Sequence, residues 1–144
     1  MVEILGVVVL MNVEEKKALV QKYVAAFNRG DVEGVCGCFA PEAVVYGVLG
    51  WGAIAKARPI WEQLVTSFQM NLQIDSMVVE GDVVAVRYTE RGKFVARFRE
   101  VEPTGKSYEV VAMEWFEISD AGIVKRWGAR DSAAIFRQMG MPLS

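Results

Sequence analysis

The sequence predicts an α+β domain, and three observations carry that prediction. Apolar residues recur at helical spacing early in the chain. Long alternating segments then fill the second half, from "LQIDSMVVEG" to "IVKRWGARD". The connections between those segments are of hairpin length, which makes neighbouring strands antiparallel. Helices first and strands after is the α+β order.

The first helix starts at Asn12, a good N-cap, and Glu15 at the third helical position completes a capping box. Leu19, Tyr23, Ala26 and Phe27 then fall on one face, and Gly30 stops the helix. Asp31 caps a second short helix, "DVEGVCGCFA", which ends before Pro41. "EAVVYGVLG" reads as a short strand and loop. "AKARPIWEQLVTSF" reads as a third helix with Pro59 near its first turn, where a missing N–H costs least.

The β half follows. "LQIDSMVVEG" turns at Gly81 into "VVAVRYTERGKFVARF". "EVEPTGKSY" is a loop with Pro103 and Gly105 as turn residues. "SYEVVAMEWFEIS" and "IVKRWGARD" are joined by the turn "DAG", and "SAAIFRQMG" closes with a turn or two of helix. One domain over residues 1–144 is expected, with residues 1–11 as an N-terminal extension that reads either as an extra strand or as a mis-chosen start, with a second start at Met11.

The chain's 144 residues bury roughly two-thirds of the unfolded surface on folding, enough for a core without staples. A net charge of −2 and no basic block exclude a nucleic-acid binder. The apolar run at the N-terminus is too short to span a bilayer and lacks a basic leader. There is no histidine, and Cys36 and Cys38 stand in a lone C-x-C, so no metal and no cofactor are expected. Two free thiols and no signal segment suggest a cytoplasmic protein.

Asp131 is the first candidate for chemistry. It stands between the last strand and the last helix and has two readings. It can cap that helix, or it can lie in an apolar pocket, where lost hydration raises a carboxyl pKa and makes it a general acid or base. Strand parity puts it on one face with Trp127 and Ala129, unless a bulge at Gly128 intervenes. Glu114 shares a face with Tyr108, Val110, Ala112 and Phe116, and can pair with Arg87 or Arg130 or face a cavity. Tyr46, Trp51 and Trp61 suit a flat apolar ligand. Tyr88 and Glu90 alternate with Arg87 and Arg91, and parity alone leaves open which pair faces in.

Four segments together resemble the SnoaL-like polyketide cyclases of the NTF2-like superfamily. They are "ALVQKYVAAFNRGDVEGVCGCFAPEAVVY", "VVEGDVVAVRYTERGKF", "EPTGKSYEVVAMEWFEI" and "AGIVKRWGARDSAAIFRQMG". The resemblance implies an NTF2-like cone, with N-terminal helices packed in a curved antiparallel β-sheet, a pocket at one end and often a homodimer. In the cyclases an aspartate after the last-strand tryptophan is the acid/base, and Asp131 stands there. Where many relatives carry histidines, this chain has Arg126 and, near the second place, Tyr46. The Asp–Arg–Asp set of limonene-epoxide hydrolase, a second similar fold, is incomplete, because Lys93 follows Arg91.

The expectation is therefore a cofactor-free cyclase, isomerase or hydratase acting on a polyketide- or terpenoid-like substrate. Asp131 would be catalytic, and Tyr46, Trp51, Trp61, Tyr88, Glu114, Trp127 and Arg130 would line the pocket. The partners would be a small apolar organic ligand and a second copy of the chain. The alternative is a non-catalytic ligand-binding or dimeric protein in which Asp131 only caps a helix.

Overall fold

The structure, a computed structural model, describes residues 11–47 and 50–142 and the backbone of residues 2–4 and 7–9. The N-terminal extension contains two short strands, β1 (Val2–Ile4) and β2 (Val7–Val9), paired antiparallel with each other.

Helix α1 (Val13–Asn28) carries the expected capping box. Asn12 accepts from the Glu15 amide at 2.8 Å, and Glu15 accepts from the Asn12 amide at 3.3 Å. Its buried stripe is Val20, Tyr23, Val24 and Phe27, at the i, i+3, i+4, i+7 spacing of one helical face. Helix α2 (Val32–Cys36) is shorter than expected, because the chain is already extended at Phe39, where β3 (Phe39–Gly47) begins. An edge strand absent from the sequence reading, β4 (Gly50–Ala53), follows. Helix α3 (Ile54–Phe68) holds Pro59 in its second turn rather than its first. Strands β5 (Asn71–Glu80), β6 (Val83–Lys93), β7 (Ser107–Ser119) and β8 (Gly122–Arg130) form the meander, and α4 (Ser132–Met139) ends it. β6 stops at Lys93, five residues short of the expected Phe98. Beyond it the chain bends so that Phe94 and Phe98 fill a second apolar cluster with Phe68, Ile135 and Met139.

Six strands make one open sheet in the order β4–β3–β8–β7–β6–β5. The meander is antiparallel, but β3 runs parallel to β8. The hairpin argument fails at that pair because β4, α3 and three strands separate its members along the chain. Helices α1 and α3 pack on the inner face of the sheet. The core there holds Val84, Val86, Tyr88, Ala112 and Phe116 from the strands, against Tyr23, Phe27 and Trp61 from the helices.

Candidate active site

Parity decides what β6, β7 and β8 send into the cone. Along β6, Val84, Val86, Tyr88 and Glu90 are buried while Arg87 and Arg91 are exposed, so Tyr88 and Glu90 are the inward pair. On β7 the inner face carries Tyr108, Ala112, Glu114 and Phe116, as the sequence predicts. On β8 it carries Arg126, Gly128 and Arg130.

Two glycines let these side chains meet. Gly128 stands directly opposite Glu114 in the ladder. A Cβ there would lie 2.5 Å from Arg126 Nη1, so the bare glycine is what lets the guanidinium lie across β8. Arg126 Nη1 thereby donates to Glu114 Oε2 at 2.6 Å. Tyr23 from α1 donates to the same oxygen at 2.9 Å. The Tyr23 ring is fixed by edge contacts with Phe27 and Phe116, each 5.1 Å between centroids. Gly92 stands opposite Tyr108, and a Cβ there would lie 2.4 Å from the tyrosine ring. The ring leans over Gly92, and its hydroxyl donates to Glu90 Oε2 at 2.5 Å, where Arg130 also donates. Two carboxylates therefore face the same space, each held by one arginine and one tyrosine.

Burial dominates the electrostatics of Glu90 and of the neighbouring tyrosines. Glu90 is 1 % exposed. Burial raises its pKa above the ordinary 4.5, although Arg130 and the Tyr108 hydrogen bond pull the other way. Burial, reinforced by Glu114, pushes the Tyr23 and Tyr88 hydroxyls upward, and burial with Glu90 does the same to Tyr108. Burial opposes the charge on Arg126, but Tyr23 and Glu114 outweigh it and the net shift is upward. The arginine also lies over the Trp61 ring, 5.8 Å from its centroid.

Two neighbouring cavities border this network. The outer one, about 120 Å³, has Trp51, Gly52 and Lys56 on its exposed side and Ile60, Trp61 and Leu64 along its wall. The inner one, about 60 Å³, is bordered by Tyr23, Tyr88, Glu90 and Glu114. Trp61, Leu64, Arg126, Gly128 and Arg130 line both.

Of the residues expected in the pocket, Trp61, Tyr88, Glu114 and Arg130 line these cavities, and Trp51 borders the outer one while its ring packs against Tyr46 and Trp127. Glu114 pairs with Arg126 rather than with Arg87 or Arg130. Tyr46 and Trp127 lie on the outer face instead. They are cross-strand partners, one residue out of phase with Val45 and Arg126, and they border a groove with Trp115 and Val78. Asp131 follows the same outward parity. It is exposed and lies outside both cavity linings, and its carboxylate accepts from the Ala134 amide at 2.9 Å as the N-cap of α4. The chain turns there because α4 must cover the second apolar cluster, with Ile135 and Met139 buried.

Tyr23, Tyr108 and Arg126 were absent from the expected pocket, and Glu90 was left undecided. The signal for Glu90 and Arg126 was present: each is a charged residue at an inward position of an alternating strand. Tyr23 belongs to a helical stripe that reads as ordinary core. Among the described residues no cluster of Cys, Asp and Glu could hold a metal ion.

The fold and site together define an α+β cone with ionisable side chains around its cavities. The same ketosteroid isomerase-like architecture is seen in a hypothetical protein from Catenulispora acidiphila at TM-score 0.72 and 13 % identity, over 86 % of this chain and 93 % of that one. Residues 17–139 match the SnoaL-like polyketide cyclase family, and the chain belongs to it. Among solved structures it is similar to AclR from Streptomyces galilaeus, described as a proposed hydroxylase, with 27 % identity and a TM-score of 0.82 over 91 % of this chain and 100 % of that one. It is also similar to IdmH from Streptomyces antibioticus, a proposed polyketide cyclase, with 25 % identity and a TM-score of 0.76 over 88 % and 99 % of the two chains.

Proposed function

We propose that the protein is a cofactor-free small-molecule enzyme of the cyclase or isomerase type. Its acid/base groups are the carboxylates inside the cone rather than Asp131. The observation that supports this most is the placement of Glu114 and Glu90 on one cavity, with Arg126 and Arg130 behind them. Two carboxyls in different environments can divide acid and base roles. Glu90, buried and raised, is the proton donor, and Glu114 takes the substrate proton. Ile60, Trp61 and Leu64 favour a flat apolar body such as a polyketide- or terpenoid-like ketone. Family membership and the description of IdmH as a proposed polyketide cyclase support that chemistry, whereas AclR is described as a proposed hydroxylase.

The test is a screen of polycyclic ketones with wild type, Glu114→Gln, Glu90→Gln and Asp131→Asn. Loss of turnover in the two glutamine variants, with Asp131→Asn active, is expected. A fully active Glu114→Gln alongside an inactive but folded Asp131→Asn would return the chemistry to Asp131.

A homodimer through the outer face of the sheet belongs to the same reading. In-register partners Trp51, Tyr46, Trp127, Trp115, Ala85 and Val78 form one row across all six strands. Trp115 is 49 % and Val78 63 % exposed, and an apolar patch of this kind favours a protein partner over water.

A further inference from the structure

Four buried polar atoms around the inner cavity make no hydrogen bond within the protein. They are the Tyr88 hydroxyl, Glu114 Oε1, Arg126 Nε and Arg130 Nε, and all four residues line that cavity. Beyond the effect of burial, the Tyr88 hydroxyl is close enough to Glu114 for that carboxyl to raise its pKa by both charge and hydrogen bonding, but the contact falls short of good hydrogen-bond geometry. Buried polar groups in native proteins are almost always satisfied, and each exception calls for a partner. Here, among the described residues, the four exceptions all belong to residues that line one space.

The mixture of their types restricts the partner. The two arginine nitrogens can only donate, and Glu114 Oε1, when ionised, can only accept. A ketone oxygen would satisfy the arginines but set its lone pairs against Oε1. An ammonium group would satisfy Oε1 but face two guanidinium ions. A carboxylate would accept from the arginines but set an anionic oxygen, with no proton to donate, against Oε1. A hydroxyl both donates and accepts without charge. We infer that the inner cavity is a subsite for an O–H group, which donates to Glu114 Oε1 and accepts from the Arg126 and Arg130 Nε–H groups. The inference rests on the reading of the cone as the ligand site. It adds that the ligand end seated there is a phenol, enol or alcohol, or an ordered water beneath the ligand. The space of about 60 Å³ is sufficient, since about 10–15 Å³ admits one water.

The experiment uses the full chain with β-naphthol and its methyl ether, which has the same flat body but accepts without donating. Wild type is expected to bind β-naphthol roughly tenfold more tightly, because the ether leaves a buried acceptor unpaired. In Glu114→Gln that preference is expected to vanish. Tyr23 and Arg126 both donate to Oε2, so the glutamine oxygen must take that place. Its NH₂ then stands where Oε1 was, and the acceptor becomes a donor. Tyr88→Phe removes a hydroxyl that lies near Glu114 without good hydrogen-bond geometry, so it is expected to fold normally and to keep the β-naphthol preference; loss of that preference would make Tyr88 the donor to Oε1 and overturn the inference.

Crystal structures at near-atomic resolution, with and without β-naphthol, separate the two sources of the O–H group. A water bridging Oε1 and an arginine Nε that persists beneath the probe makes water the occupant. A naphthol oxygen in that place makes it the ligand. Equal binding of both probes with no such water in either crystal would overturn the inference. The acid/base reading stands or falls separately, on turnover by Glu114→Gln and Glu90→Gln.

Discussion

Arg126 reaches Glu114 at 2.6 Å by lying across Gly128, the residue directly opposite that glutamate in the β7–β8 ladder. A charged pair inside a cone is costly to desolvate and holds only while both members remain.

Removing one member leaves the other buried and uncompensated. Arg126→Met is expected to destabilise the fold by about 3–5 kcal/mol. The double variant Arg126→Met/Glu114→Leu is expected to recover most of that loss, since a well-packed apolar pair can match a buried ionic one. Guanidinium denaturation of the two variants checks this, and a double variant as unstable as the single would contradict it.

Asp131→Ala is expected to cost about 1 kcal/mol through loss of the α4 cap, and Asp131→Asn almost nothing, because asparagine caps equally well. Thermal melts decide the point.

The pH dependence of stability has a definite sign at Glu90. Its folded pKa lies above the ordinary 4.5, so the folded protein holds this proton more tightly than the unfolded chain. That contribution is complete below 4.5 and is lost as pH rises through the raised folded value. Wild type is therefore expected to lose stability relative to Glu90→Gln as pH rises from 4.5. Parallel curves for the two proteins would refute the assignment.

Two glycine substitutions are expected to differ. In Gly92→Ala the new Cβ meets the Tyr108 ring at 2.4 Å and the Phe68 carbonyl oxygen at 2.6 Å, and the backbone cannot swing away. A loss of about 1–3 kcal/mol is expected, as for other overpacked cores. In Gly128→Ala the nearest atom, at 2.5 Å, is a guanidinium nitrogen at the end of a side chain. Stability is expected to fall less there, while probe binding in the cavity falls more. Paired melts and titrations compare the two.

Trp115→Glu puts a charge in the centre of the outer apolar row. Sedimentation is expected to show wild type as a dimer and this variant as a monomer with its fold intact. An unchanged sedimentation coefficient would exclude that face as the interface.

The sequence by itself determined most of the elements, though not the edge strand β4, and the inward face of β7. Capping chemistry placed the start of α1, alternation fixed the inward row of β7, and turn residues set the hairpins, because these depend on neighbours a few positions apart. It also placed Tyr88, Glu114, Trp61 and Arg130 near a pocket. Only the tertiary structure decided that Tyr88 and Glu90 face inward, since period-2 alternation fits either face until the sheet packs against α1 and α3. It also decided the parallel β3–β8 pair, whose members are far apart along the chain. That pairing and the β8 parity turned Tyr46 and Trp127 outward and left Asp131 capping α4. The Glu114–Arg126–Tyr23 and Glu90–Arg130–Tyr108 groups are contacts between residues 12 to 91 positions apart. Such contacts exist only once glycines at 92 and 128 allow side chains to cross a strand.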